Sequence, residues 1–176
     1  MSSIVTRKEN CYMSKNTEIK KTNAARLLDQ QKVSYALVPY EVDEADLSAQ
    51  HVAEMLGEPI GQVFKTIVLH GDKTGYFVCV VPGESEIDLK LAAKVSGNKN
   101  CALLPLKDLL PLTGYVRGGC SPIGMKKHFP TFFHETCTMY PYIFVSAGVR
   151  GLQFKIAPQD LLNAARATTA KLIIES

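Results

Sequence analysis

The chain alternates short apolar segments with polar segments that contain glycine and proline, and this pattern predicts many short strands and helices. Apolar runs of about four to eight residues between turn residues are typical of strands. We expect strands near residues 34–42, 63–70, 76–81, 101–104, 132–133, 142–146, 152–156 and 172–174. We expect helices near residues 22–32, 51–56, 89–95 and 158–167, and a helical turn at 107–110.

Residues that favour helix ends support these boundaries. Thr22, Ser48 and Asp88 have side chains that can accept a hydrogen bond from a free backbone N–H at the start of a helix. Gly57 suits the position just after a helix, and Pro158 suits the first helical position. Four of the five predicted helical segments therefore have a local signal at one end or both.

The predicted elements indicate one mixed α/β (α+β) domain. Strands interleaved with short helices favour a largely antiparallel or mixed sheet, and the helices are too few and irregular for a doubly wound parallel sheet. Residues 71–75, between two apolar strands, have the composition of a hairpin turn. At 176 residues the chain can bury a sizeable core, and we place its single domain at residues 21–176.

Lys65 lies in the middle of a strand, residues 63–69, that is apolar on both faces. Such a strand is usually central in a sheet. Burial of an ammonium group is costly unless a partner compensates it, so lysine is rarely fully buried. Either the side chain extends to the rim of the sheet, or its charge meets an anionic or carbonyl-rich ligand in a cleft.

The first 20 residues are polar and predict a flexible leader. They contain no apolar stretch of the signal-peptide type. No apolar run in the chain approaches the roughly 20 residues that span a bilayer. We therefore expect a cytoplasmic protein that makes no use of a membrane.

The net charge of +3 arises within the first 21 residues, and the remainder has equal numbers of basic and acidic groups. This balance argues against a broadly basic nucleic-acid-binding surface. Residues 105–130 are locally basic, with one acid, Asp108. Such a stretch is compatible with phosphate binding or with an ordinary solvated face. Its basic residues are Lys107, Arg117, Lys126 and Lys127.

The cysteine and histidine residues are scattered along the chain and have no metal-ligand spacing. We expect no metal site and free thiols, with Cys79 in the core. Cys120 follows two glycines and could be a nucleophile, but the sequence positions no base beside it.

Two glycine-containing loops follow Lys65 in the sequence. The first, residues 118–124, has adjacent glycines that allow the backbone to approach a ligand closely, although it lacks the ending of a P-loop. The second, residues 146–151, joins two apolar strands. Each loop is equally compatible with a tight turn that binds nothing.

Taken together, these segments resemble one protein family, the YbaK/EbsC-type aminoacyl-tRNA deacylases, which are related to the editing insertion domain of bacterial prolyl-tRNA synthetase. The resemblance rests on residues 63–66 (VFKT), 114–124 (GYVRGGCSPIG) and 144–152 (FVSAGVRGL), with residues 21–25 and 40–43 in support. It extends from about residue 21 to residue 174. It implies a curved, barrel-like mixed or antiparallel sheet flanked by short helices.

The resemblance also implies a function. The expected reaction is hydrolysis of a mischarged aminoacyl ester at the 3′ acceptor end of a tRNA, most of all Cys-tRNA(Pro), without metal or other cofactor. In this family the enzyme supplies no covalent nucleophile, and the substrate thiol attacks its own carbonyl. Lys65 corresponds to the catalytic lysine. The substrate-binding positions implied are Tyr40, Thr66, Gly118, Gly119, Ser121, Ser146, Gly148 and Arg150.

This chain departs from the common family pattern at several positions. Gln153 stands where an acidic residue is frequent, and Ala147 stands where a second glycine is frequent. These changes leave open a preference for alanyl or another small aminoacyl group. A further alternative is that the protein is a non-catalytic module that binds tRNA or a synthetase. Because the folded part carries no net charge, we also expect prolyl-tRNA synthetase as a partner that contributes tRNA selectivity.

Overall fold

A computed structural model describes residues 19–175, so almost all of the predicted leader lies outside the described residues. The described part contains five α-helices and eight strands. The helices are α1 (Asn23–Gln30), α2 (Ala49–Leu56), α3 (Leu89–Val95), α4 (Leu106–Thr113) and α5 (Pro158–Ala165). The strands are β1 (Ala36–Pro39), β2 (Phe64–Gly71), β3 (Gly75–Pro82), β4 (Cys101–Leu103), β5 (Thr131–His134), β6 (Ile143–Ser146), β7 (Leu152–Ile156) and β8 (Thr168–Ala170).

The predicted helix starts are confirmed by their hydrogen bonds. The Thr22 hydroxyl accepts from the Ala25 N–H at 3.1 Å, which satisfies one of the free donors of α1. The Ser48 hydroxyl and the Asp88 carboxylate cap α2 and α3 in the same way. Gly57 follows α2 in a left-handed conformation, as expected for that position.

The strands form one mixed and one antiparallel open sheet, which with the helices confirms the mixed α/β class. One sheet has the order β4-β2-β3-β5-β8, and the other has the order β1-β7-β6. The β3–β5 and β5–β8 pairs are parallel, and the other pairs are antiparallel. A single parallel bridge, Val63 to Phe144, connects the sheets. The expected barrel-like sheet is therefore wrong, because neither sheet closes on itself.

The two edges of β2 are occupied differently. One edge pairs with β3 along the whole strand, as the hairpin prediction required. The other edge is shared, since β4 pairs only with Leu69–Gly71 and β6 reaches only the bridge at Val63. The stretch Lys65–Ile67 therefore has no paired strand on that edge within residues 19–175. This gap positions the site described below.

The core lies on both faces of β2, because side chains alternate along a strand. Phe64 and Val68 belong to the largest buried cluster, whereas Leu69 belongs to a second cluster on the opposite face. A third cluster packs α2 against the junction of the sheets. Helix α2 comes so close to the end of β3 that a Cβ at Gly83 would lie 2.2 Å from the Ala49 Cβ.

The end of the chain differs from the prediction. The last strand is β8, and residues 172–174 contribute only an isolated bridge between Ile173 and Ile87. The apolar signal there reflects burial, because Leu172 is fully buried in the second cluster. Its N–H donates to Nδ1 of His134, whose pKa burial lowers. In the described part of the chain, no helix is long and apolar enough to cross a membrane.

Asn98 fastens the β2–β3 hairpin turn to the end of α3. Its Oδ1 accepts from the N–H groups of Lys73 and Thr74 at 2.9 and 2.8 Å. Its Nδ2 donates to the hydroxyls of Thr74 and Ser96, both at 2.8 Å. Asn98 is 8% exposed, so water can replace these bonds only in part.

We expect Asn98→Ala to lower the free energy of unfolding by about 1–3 kcal/mol, because it leaves two turn amides without an acceptor. Urea denaturation measures the change. Asn100→Ala is the matched control, since the Asn100 side chain is exposed and only its backbone carbonyl is used, by Asp72. Equal stability of the two variants would contradict this account of the turn.

Candidate aminoacyl-ester site

A cavity of about 340 Å³ lies at the unpaired stretch of β2, and we call it the site cavity. Its walls come mainly from the start of α2, the first half of β2, the loop at residues 117–120, and the facing ends of β6 and β7, with Gly83 after β3 and Leu109 of α4 as further contributors. The residues that matter most below are Val52, Lys65, Thr66, Gly118, Ser146 and Gln153. Segments distant in sequence therefore converge at one gap in the sheet.

Lys65 lines the site cavity and is only partly exposed. Within residues 19–175 its ammonium has no hydrogen bond or salt bridge. Burial lowers the pKa of Lys65 from its usual value, and the negative charge of Glu86 opposes that shift. The structure thus favours the second sequence interpretation, in which the charge awaits a ligand in a cleft.

Thr66 meets the same cavity from the other face of β2. Its Oγ1 is buried and has no hydrogen-bond partner in the described part of the chain. The Val68 carbonyl accepts from the Leu104 N–H at 3.0 Å, so the backbone groups of Val68 point away from β3. Backbone groups two residues apart in a strand point to the same edge, so the N–H and C=O of Thr66 point to the unpaired edge. A ligand at this edge would therefore find both backbone and side-chain groups of Thr66.

Ser146 and Gln153 are directly opposite each other on β6 and β7, and both line the site cavity. The Ser146 hydroxyl accepts from the Gly148 N–H at 3.1 Å, which leaves its proton and one lone pair for a ligand. Gln153 is 4% exposed, and its Oε1 has no partner among the described residues. This wall of the cavity is therefore polar and incompletely satisfied.

The two adjacent glycines allow the 117–120 loop to lie against the 148–151 turn. Gly118 has a φ of +85°, which side chains rarely permit. A Cβ at Gly119 would lie 3.1 to 3.2 Å from backbone atoms of Val149 and Arg150. The loop therefore depends on glycine for its packing, and Gly118 lines the site cavity.

Arg150 holds this loop from outside the cavity. Its Nε donates to the Arg117 carbonyl at 2.8 Å, and its Nη1 forms a salt bridge with Glu44 at 2.7 Å. The guanidinium thus joins the glycine loop to the acidic segment before α2. Arg117 itself is exposed and lines the site cavity, where its charge is available at the rim.

The predicted site residues fall into two groups. Lys65, Thr66, Gly118 and Ser146 line the site cavity, and Gly119 supports the loop beside it. The other four predicted positions do not line the cavity: Tyr40, Ser121, Gly148 and Arg150.

Each of those four residues has a structural contact instead. The Tyr40 N–H donates to the Gly151 carbonyl at 3.0 Å, and its ring packs on the third cluster. The buried Ser121 hydroxyl accepts from the Ile123 N–H at 3.2 Å. A Cβ at Gly148 would lie 3.0 Å from Cε1 of Tyr115, so glycine allows the turn to pass close to this ring. Their expected contact with substrate stays a prediction.

Sequence reasoning counted Arg117 in the basic stretch and Gln153 among the departures from the family pattern, but it placed neither in the cavity. It assigned no site role to Ser48, Ala49 and Val52 at the start of α2. Gln153 had one signal, since it is a polar residue on a strand that is otherwise mostly apolar. Residues on α2 had none, because only the tertiary packing brings this helix over the end of β2.

Cys120 lines the site cavity but is not activated. Burial raises the pKa of its thiol to about 12, so the thiol is protonated near neutral pH. The thiol makes no hydrogen bond to any histidine within residues 19–175. In the same range, no three His, Cys, Asp or Glu side chains lie close enough together to hold a metal ion.

Comparison with known proteins identifies the family of the chain. Residues 43–164 match the family described as aminoacyl-tRNA editing domain. A protein of Enterococcus faecalis, named as a candidate Cys-tRNA(Pro)/Cys-tRNA(Cys) deacylase, is 49% identical over 160 residues, which cover 91% of this chain and 98% of that protein.

Two further relatives are more distant. A proline–tRNA ligase of Fervidobacterium nodosum is 32% identical over 79 residues, which cover 45% of this chain and only 14% of the ligase. A crystal structure described as a candidate trans-editing enzyme for prolyl-tRNA synthetase has a TM-score of 0.74 at 24% identity, over 89% of this chain and 100% of that one. That structure shows a shared fold, and the matched sequence shows that the chain belongs to the aminoacyl-tRNA editing domain family.

Proposed function

We propose that this protein deacylates mischarged aminoacyl-tRNA, with Cys-tRNA(Pro) as the main substrate. The observation that carries the proposal is the site cavity, in which an ammonium and several polar groups without partners in residues 19–175 surround a gap in a sheet. The name of the Enterococcus faecalis relative supports the choice of substrate. Such a substrate is found in the cytoplasm, where translation takes place.

Lys65 and the backbone of Thr66 stabilise the charge that develops on the ester. As the carbonyl carbon is attacked, negative charge grows on its oxygen. The Lys65 ammonium and the N–H of Thr66 are both donors at the unpaired edge, so together they can hold that oxygen. Fixed donors in a partly dry cavity need little reorganisation during the reaction, which is why they stabilise a transition state effectively.

The nucleophile comes from the substrate. In a cysteinyl ester, the thiol sulfur attacks the carbonyl carbon, the bond from that carbon to the ribose oxygen breaks, and the thiol proton passes to the leaving oxygen. The products are a cyclic thiolactone and free tRNA. This intramolecular step depends chiefly on a well-oriented substrate, so positioning by the cavity supplies much of the acceleration.

The amino-acid preference depends on the same cavity. Alanyl and seryl groups are no larger than a cysteinyl group and would also enter, but they lack a thiol and require an attacking water. A purely binding module is less well supported. It would gain nothing from the Lys65 ammonium, which is partly buried at a desolvation cost and has no protein partner within residues 19–175.

The tRNA body is expected to contribute modest affinity. Arg117 at the cavity rim and the exposed Lys126 and Lys127 can meet phosphates near the acceptor end. Outside the first 21 residues the chain has no net charge, so phosphate attraction is weak. We therefore propose that prolyl-tRNA synthetase supplies part of the tRNA selectivity.

Lys65→Ala and Lys65→Met should each reduce deacylation of Cys-tRNA(Pro) by roughly 100- to 1,000-fold, because a charged donor to the developing oxyanion is lost. Single-turnover assays with Cys-, Ala- and Ser-tRNA(Pro) measure the effect. Lys90→Ala is the control, since Lys90 is exposed on α3 away from the cavity. Undiminished hydrolysis by both Lys65 variants would remove this residue from the mechanism.

Cys120→Ala should keep deacylation of Cys-tRNA(Pro) within about fivefold of wild type, because a thiol with a pKa of about 12 is not a nucleophile at neutral pH. Intact-mass spectrometry of acid-quenched reactions should find no acyl-enzyme. A cysteinyl adduct on Cys120, together with an inactive variant, would establish covalent catalysis instead.

The isolated protein should deacylate Cys-tRNA(Pro) and Cys-tRNA(Cys) at similar rates, since few of its charges can select between tRNA bodies. Addition of prolyl-tRNA synthetase should raise the rate for Cys-tRNA(Pro) relative to Cys-tRNA(Cys). The synthetase should also co-purify with the protein in a pull-down at low salt. Full selectivity by the isolated protein, with no association, would disprove a role for the synthetase.

A further inference from the structure

The first half of β2 leads from a buried end of the site cavity to an exposed apolar surface. At the buried end, α2 packs on the start of β2, and Val52 and Val63 are both buried in the third cluster. Toward the other end, the Leu104 N–H donates to the Val68 carbonyl, which closes the gap in the sheet. The residue before Leu104 is Leu103, and it is 54% exposed. The closed end is thus at Val63, and the open end is toward Leu103.

Strand register places Leu103 on the same face of the sheet as Lys65. Leu103 is directly opposite Leu69 in the β2–β4 pair, and side chains opposite each other share a face. Lys65, Ile67 and Leu69 are two residues apart along β2, so they share that face as well. Ile67 is diagonal to Leu103 in this pair, with Cβ atoms about 7–8 Å apart. Since Ile67 lines the site cavity, Leu103 is the next side chain beyond the cavity on this face.

Ile67 and Leu103 form an apolar surface at the open end of the cavity, and we call these two residues the apolar shelf. Ile67 is partly buried, and Leu109 of α4 lines the same cavity. A single exposed leucine is common on protein surfaces, so the exposure of Leu103 alone carries no meaning. Its position does, because the shelf continues a cavity that contains a cation. The shelf itself offers no side-chain hydrogen bond, so it suits the apolar part of a ligand.

The proposed substrate has a small end and a large end. The small end is the aminoacyl group, and the large end is the terminal adenosine of the tRNA, whose ribose carries the ester oxygen. Only the small end fits the closed end of the cavity at Val63. With the ester carbonyl at Lys65, the adenosine then lies toward the open end. Its base is attached to the same ribose as the ester, so the base comes next to the apolar shelf.

We propose that the apolar shelf binds the flat face of the terminal adenine and so fixes the direction in which the ester enters the cavity. This inference rests on the proposed function. Contact between the base and the side chains of Ile67 and Leu103 removes apolar surface of both partners from water. Sequence is read through donors and acceptors at base edges, and the shelf has neither. The shelf therefore holds a purine by its size and face and does not distinguish adenine from guanine.

The test compares binding of three stable analogues in which an amide replaces the ester. They are 3′-deoxy-3′-(cysteinylamino)adenosine, its guanosine counterpart, and the same aminoacylated ribose with hydrogen in place of the base. Wild type should bind the two purine analogues within about twofold of each other, because the shelf does not read base edges. It should bind both roughly three- to tenfold more tightly than the base-free analogue, as expected for the apolar area of one base face. Isothermal titration calorimetry measures the three dissociation constants.

Leu103→Ser should remove most of the preference for a base and leave the affinity for the base-free analogue unchanged. Leu103→Phe should enlarge the preference, because an aromatic ring stacks on a base. Both variants should fold, since Leu103 is an exposed side chain, and thermal unfolding checks this. The matched control is Met139→Ser, which removes an exposed apolar side chain from a segment that contributes no residue to the cavity. The control should leave all three dissociation constants unchanged.

Several results would overturn the inference. The preference for a base could persist in Leu103→Ser, or this variant could weaken all three analogues equally, which would indicate an effect on the cavity alone. A large preference for adenosine over guanosine would indicate a polar group that reads the base edge. A smaller species of Leu103→Ser in gel filtration, with the base preference intact, would assign the shelf to contact with a second copy of the chain. Failure of the proposed function is separate, because wild type would then not deacylate Cys-tRNA(Pro) in the parallel assay.

Discussion

The site depends on one constraint of the sheet: the second edge of β2 is shared by two strands that do not meet. Strand β4 pairs with one end, and β6 reaches the other only through the bridge between Val63 and Phe144. Between them, Thr66 directs its N–H and C=O to an edge that has no paired strand within residues 19–175 and that a continuous sheet would have satisfied. The same gap gives the Lys65 ammonium a place in an otherwise apolar strand. A closed barrel would have removed both features.

The cavity walls are held by contacts that lie outside the cavity. Gly119 allows two backbone segments to touch, and Arg150 joins the glycine loop to Glu44 and to the Arg117 carbonyl. The family resemblance implies that both residues also contact substrate, and that stays a prediction. In the fold, they hold the loop whose residues Arg117 and Gly118 line the cavity. Rigid placement of this kind is what a reaction based on orientation requires.

The sequence predicted local features well, since helix caps and the β2–β3 hairpin depend on neighbouring residues. It misplaced the last strand because β8 is short and largely exposed, whereas the apolar Leu172 beyond it is buried in a segment that forms only an isolated bridge. The site was predicted in part. Lys65 was identifiable from its cost in an apolar strand, but the place of Gln153 in the cavity was not, because its position opposite Ser146 follows from strand register. Register is a long-range property that a single sequence does not reveal.

The alternation of side chains places the polar groups of the site on two walls. Lys65 and Thr66 are consecutive, so they leave β2 on opposite faces, and only a ligand at the unpaired edge can contact both. Ser146 and Gln153 lie on the Lys65 face, because Val63 and Phe144 pair with each other and share the third cluster. In the proposed reaction the enzyme lends no nucleophile, so the substrate thiol attacks only when such fixed groups hold it toward the carbonyl.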